Sequence, residues 1–223
     1  MKQVKGFWLP DHEEHLIHFL ENGPEFAGGP TYQLKKLLAC MPHIKNFGHA
    51  VDVGAHCGLW SRPLAKMFGH VTAFEPVQEH VECFEQNIFS GDKTWRLGSI
   101  NDVTLHQRAL GAKADTVTLH TGEASSGDTY VKQGGEHAAE MRTLDSFELP
   151  RVDFVKIDCE GFEYFILLGA QETIRKWKPT IIVEQKPGKG KQFGLGDQDA
   201  VKLLESWGAK QVKEISGDFI MKF

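Results

Sequence analysis

From Ala50 onward, short apolar runs alternate with amphipathic stretches, a pattern that predicts strands followed by helices. The runs AVDVGA (50–55), VTAFEP (71–76), VTLHQRAL (103–110), DFVKID (153–158) and TIIVEQ (180–185) read as strands. A helix after the first carries Leu59, Leu64, Met67 and Phe68, and a helix over 77–89 carries Val77, Val81, Phe84 and Ile88 on one face. Phe162, Phe165, Ile166, Thr173 and Ile174 mark another, and Asp197 is placed to cap a last helix holding Val201 and Leu204 and stopping at Gly208. TVTLHT (116–121) reads as an extra edge strand or hairpin arm, and 121–140 as a turn-rich, polar, mobile stretch. Two final strands near 210–215 and 218–223 pair across Ser216-Gly217. Five β-then-helix units and a hairpin predict a doubly wound α/β sheet.

The first 48 residues have a different texture and read as a mostly helical extension, with the main domain over 49–223. Asp11 and Glu14 form a capping-box pattern before Leu16, Ile17, Phe19 and Leu20. Asn22-Gly23-Pro24 ends that helix, and Thr31 is placed to cap a second one that stops before Pro42.

Composition narrows the classes. The chain has 223 residues, is 41% hydrophobic and 25% charged, and carries a net charge of −5. It can bury a core, and its charge speaks against nucleic acid as the main partner. Four cysteines without a C-x-x-C pair indicate neither a disulfide framework nor a zinc ribbon. No apolar run approaches membrane-span length, and the opening MKQVKGFWLPDHEEH lacks a secretory apolar core, so a cytoplasmic location is expected. His12, His15 and His18 do not make a metal motif, because Leu16 stands where HExxH needs its second histidine. No resident metal is expected.

The candidate chemistry gathers at the strand ends. Asp52 closes the first strand, and Gly54, Ala55, His56, Cys57 and Gly58 lead into a helix whose amides face a ligand. Glu75 closes the second strand, where a carboxylate grips ribose hydroxyls. The loop reads G-x-x-x-G, with His56 where a dinucleotide fingerprint needs glycine, and Gly-Lys-Ser/Thr is missing. A nucleoside with a small charged tail fits instead, such as S-adenosylmethionine. Asp52 would then face its ammonium, Glu75 its ribose, and the Gln107–Leu110 region, Gln107 and Ala109 included, its adenine. Tyr32 is a candidate to lie over the cofactor.

The stretch Lys-Ile-Asp-x-Glu-Gly-Phe-Glu…Leu-x-Gly-Ala (156–170), following Thr-Leu-Asp (143–145), strongly resembles the FkbM family of S-adenosylmethionine-dependent methyltransferases. VDVGAHCG (51–58), Glu75-Pro76, Ala109-Leu110-Gly111 and Val183-Glu184 match the same pattern. The resemblance spans roughly 50–185 and implies a Rossmann-like sheet of seven mostly parallel strands in the order 3-2-1-4-5-7-6. It also implies methylation of a hydroxyl on a sugar or other small metabolite, free or in a glycan.

A carboxylate within reach of that hydroxyl can act as general base or orient it. Asp158, at the end of strand four, is the first choice, and Glu160 the second. Asp158 is also a candidate cofactor ligand or helix cap. Glu163 reads as an ordinary surface residue at a helix start, and Cys57 and Cys159 as small loop residues. An alternative is an RNA ribose 2′-O-methyltransferase with a Lys-Asp-Lys-Glu set, here Lys35 or Lys36, Asp158, Lys186 and Glu214. A catalytically silent cofactor-binding module is a third reading. No Asp/Asn-Pro-Pro-Tyr/Phe motif supports base N-methylation.

Overall fold

A computed structural model describes residues 1–26, 29–90, 102–123 and 125–223. Its centre is a seven-stranded sheet, whose strands we number β1 (His49–Val53), β2 (His70–Phe74), β3 (Asp102–His106), β4 (Phe154–Ile157), β5 (Thr180–Glu184), β6 (Lys210–Ile215) and β7 (Asp218–Lys222). In space they run β3-β2-β1-β4-β5-β7-β6. All neighbours are parallel except β7, which lies antiparallel between β5 and β6. Ser216 and Gly217, at φ of +54° and +84°, make the tight β6–β7 turn.

The inner strands are buried on both faces, which is why they read as continuous apolar runs. Their alternate residues build two cores. Val51, Val53, Val155, Ile157, Ile181 and Val183 pack with helices α4 (Glu163–Leu168), α5 (Gln171–Trp177) and α6 (Asp199–Ser206). Ala50, Phe154, Ile182 and Ile220 pack on the other face with α2 (Leu34–Cys40) and α3 (Ser61–Met67). The order reverses direction between β1 and β4, and a crevice opens at that switch point beyond the strand ends.

Several expectations are corrected. The run 103–110 is not one strand: it breaks at Gln107-Arg108, and Ala109–Leu110 crosses to a separate four-stranded sheet. That sheet also holds Asp115–His120, Tyr130–Val131 and His137–Arg142, so the turn-rich stretch 121–140 contributes one short strand and the start of another. The lead-in contains two hairpins, Lys2–Val4 with Phe7–Leu9 and Glu25–Phe26 with Gly29–Pro30, beside α1 (His15–Asn22) and α2. Glu13, not Asp11, caps α1, its Oε1 accepting from the Leu16 amide at 2.7 Å; Asp11 pairs with the terminal amine. Thr31 bonds the carbonyls of Phe26 and Gly29 instead of capping α2. Asp197 accepts from the Gly188 amide and caps nothing. Phe7, Leu9, Leu16 and Leu20 pack against Cys57 and Leu59, so the lead-in backs the loop after β1. Among the described residues, no helix is long and apolar enough to cross a membrane.

His49 ties β1 to β2 through a 2.8 Å contact between its Nε2 and Thr72 Oγ1. Burial pushes its pKa down from 6.5 to about 4, so folded His49 is neutral where unfolded His49 is charged. The unfolded chain therefore binds the extra proton, and stability falls as pH drops from about 6.5 towards about 4. Melting temperatures measured across that window should decline, with a shallower slope for His49→Gln.

Candidate active site

Two connected cavities lie at the switch point, sharing Gly54, His56, Gly127 and Asp158. One is a slot walled by Val53, Phe74, Glu75, Ala109, Leu110 and Phe162. The other is a polar chamber of about 500 Å³, bordered by Tyr32, Trp60, Lys36, Glu160, Glu184 and Lys186.

The loop after β1 is shaped from below. Gly54 has φ +74°, and a Cβ there would sit 2.1 Å from the Asp158 carbonyl oxygen. Lys156 Nζ donates to the Gly54 carbonyl at 2.7 Å and lies 3.3 Å from Asp52 Oδ1. Asp52 is wholly buried, and its Oδ2 accepts from the Ser61 hydroxyl at 2.7 Å. It is off both cavity walls, so it does not face the cofactor's ammonium; it holds the lysine that holds the loop.

Glu75 sits as expected on the slot wall. Its Oε2 accepts from the His56 amide at 2.8 Å, and Oε1 from the Val77 amide at 2.9 Å and His80 Nδ1 at 3.1 Å. Burial raises its carboxyl, but His80 and the two amides outweigh that and hold it below the usual range. With one bond on Oε2, the ionised carboxylate keeps a lone pair for a ribose hydroxyl.

His56 adopts φ +51°, as its place in a glycine loop demands. Its Nε2 lies 2.8 Å from Ser126 Oγ, and the Ser126 amide and hydroxyl both donate to buried Glu13 Oε2 at 2.7 and 2.5 Å. The serine proton is thus committed to Glu13, which makes His56 the donor to Ser126. Burial, then His80 and Lys156, drive the His56 pKa well down, so the ring is neutral and structural. Burial pushes the Cys57 and Cys159 thiols well up, which removes them as nucleophiles.

Other candidates divide. Ala109 reaches the slot, Ala55 and Tyr32 the chamber. Gln107 does not arrive: the chain turns at Arg108, and Gln107 instead bonds exposed Gln78 at 2.7 Å. Gly58 (φ +86°) is also off both cavities, its missing Cβ making room for Phe84 and Ile88. Glu163 is no surface residue. It is 1% exposed, and its Oε1 accepts from the amides of Cys159 (2.9 Å) and Gly161 (3.0 Å), fixing the turn that carries Asp158 and Glu160.

Asp158 stands where slot and chamber meet. Burial raises its carboxyl, but Lys156 and Lys186 overcome this and keep it ionised. Glu160 lies 2.6 Å from Lys189 and 3.8 Å from Lys186, and burial still pushes it up. Glu184, at the end of β5, lies 2.6 Å from Lys186, yet burial with Asp158 and Glu160 nearby pushes it to about 9. Lys36 enters the chamber from α2 paired with Asp218. Glu214 stays outside, exposed, accepting from the Gly217 amide, so it does not complete a Lys-Asp-Lys-Glu set. Glu13, Ser126 and Glu184 were not assigned roles from sequence; only Glu184, as a strand-end acid, carried a local signal.

The profile of the FkbM methyltransferase domain matches residues 52–210. The chain belongs to the FkbM methyltransferase family. The cofactor of this FkbM domain is S-adenosylmethionine. Among solved structures, the methyltransferase FkbM from Methylobacillus flagellatus KT is similar at 19% identity over 79% of this chain, with a TM-score of 0.51. This chain spans 43% of that one. A Streptococcus mutans protein solved in complex with SAH is similar at 11% identity over 86% of this chain and 99% of its own, TM-score 0.50. These likenesses concern the fold. No curated protein matches the sequence.

Removing the Glu75 carboxylate deletes a charged acceptor for the ribose. Glu75→Ala should weaken S-adenosylhomocysteine binding by about 1.5–3 kcal/mol. It should also lower the melting temperature, because the His56 and Val77 amides lose their acceptor. Titration calorimetry on folded variant protein checks the first effect, and unchanged affinity would remove Glu75 from the site.

Proposed function

We propose that the protein is an O-methyltransferase acting on a hydroxyl of a sugar or other small polyhydroxylated metabolite. The observation that carries this reading is ionised Asp158 at the junction of slot and chamber, with Lys186 among the cations that keep it so. Bound S-adenosylmethionine supplies an electrophilic methyl group. Asp158 would orient the acceptor hydroxyl towards that methyl group and take its proton, directly or through water. The chamber's lining of carboxylates, ammoniums and the Tyr32 and Trp60 rings suits a compact, hydroxyl-rich acceptor.

A second reading, methylation of an RNA ribose, is favoured by the meeting of Lys36, Asp158 and Lys186 in one chamber. The absence of Glu214 from it and the net charge of −5 weigh against that. Labelled cofactor offered with glycans, nucleosides and capped RNA separates the readings. Label on sugar hydroxyls is expected, and label on RNA alone would promote the second. Cofactor binding with no transfer to any acceptor class would leave a binding module.

A further inference from the structure

Three carboxylates converge on the chamber floor from β4 and β5. One oxygen each from Asp158, Glu160 and Glu184 can be chosen so that all lie within 4.8 Å of one another. Oxygens on opposite sides of a calcium ion stand about 4.6–5.2 Å apart, and around magnesium about 4.0–4.2 Å, twice the respective bond lengths. The spacing already fits the first and needs only a small contraction for the second.

An independent observation concerns Glu184. Its side chain is 2% exposed and borders the chamber; Lys186 stands 2.6 Å from Oε1, while buried Oε2 has no hydrogen-bond partner. A buried carboxylate oxygen left without a donor is costly, so something held between these groups should satisfy it. Lys186 and Lys189 make direct ion pairs with Glu160 and Glu184 but not with Asp158, which leaves room for a cation among the three carboxylates. All the donors are oxygens, which selects a hard ion.

We propose that Asp158, Glu160 and Glu184 form a binding site for a divalent cation of the magnesium or calcium class. The site deepens the acceptor reading, on which its role rests: the ion's remaining positions would take water and the acceptor's hydroxyl oxygen. Its binding does not depend on that reading.

The competing occupant is a proton shared between Asp158 and Glu184. Titration of chelator-stripped protein with manganese chloride, followed by the resonance signal of free Mn²⁺, distinguishes the two. Saturable uptake of one ion per chain is expected, reversed by Mg²⁺ or Ca²⁺ and weakened roughly tenfold or more by Glu184→Gln and by Glu160→Gln. Should one variant fail to fold, as judged by melting, the other decides. No saturable uptake up to about 1 mM would overturn the proposal, as would uptake unchanged in a folded variant. Parallel titration with S-adenosylhomocysteine separates the two claims. Its failure to bind wild-type protein would count against the methyltransferase reading and leave the manganese result standing.

Discussion

Asp158→Asn should lower methyl-transfer turnover by at least about a hundredfold, within the range of general-base contributions. The substitution keeps the side chain's size but removes the charge that Lys156 and Lys186 stabilise. The three roles open to Asp158 give different results. A base or orienting group predicts lost turnover with nearly unchanged cofactor affinity. A ligand of the cofactor's methionine end predicts that affinity falls with the rate. A structural residue predicts a lower melting temperature and near-normal turnover, and that outcome would sink the catalytic assignment. The structure already weakens the last role, because the turn after β4 is held by Glu163 through the Cys159 and Gly161 amides. Turnover, S-adenosylhomocysteine affinity and melting temperature on this one variant separate the three.

Gly54→Val should be the most damaging single change in the loop after β1. Two penalties coincide there: a left-handed φ of +74°, and a Cβ position 2.1 Å from the Asp158 carbonyl oxygen. Backbone cannot yield as a flexible side chain can, so β1 and β4 must separate at their ends or the loop must refold. A stability loss above about 3 kcal/mol is expected, with cofactor binding abolished in whatever protein folds. The space is occupied by the protein itself, not only by a ligand. Gly54→Ala meets the same carbonyl and should also be strongly destabilised. Chemical denaturation of both variants checks this, and a Gly54→Ala protein of wild-type stability would contradict the geometry.

The sheet was legible because its inner strands are buried on both faces, leaving unbroken apolar runs between amphipathic helices. Glu75 was expected on the crevice wall because it closes the second strand, and it lies there, while its bonds to the His56 and Val77 amides carried no local signal. Other readings failed where the deciding contact is remote in sequence. Asp52 had the right place in the chain, but Lys156, over a hundred residues away, turns its carboxylate to a task beneath the loop. Glu163 lay at a helix start that suits exposed acids, and only the folded 159–161 turn buries it. The strands Lys2–Val4 and Phe7–Leu9 are too short to show a period, and the turn at Lys5-Gly6 was passed over. Gln107 was misplaced because 103–110 was read as one strand, whereas it breaks at Gln107-Arg108 and changes sheet.

Ser126 joins three distant parts of the chain, receiving His56 from the loop after β1 while giving both its protons to Glu13 beside α1. Its neighbour Gly127 borders both the slot and the chamber. The two cavities therefore share one wall, and that wall is pinned to the lead-in on one side and to the loop after β1 on the other.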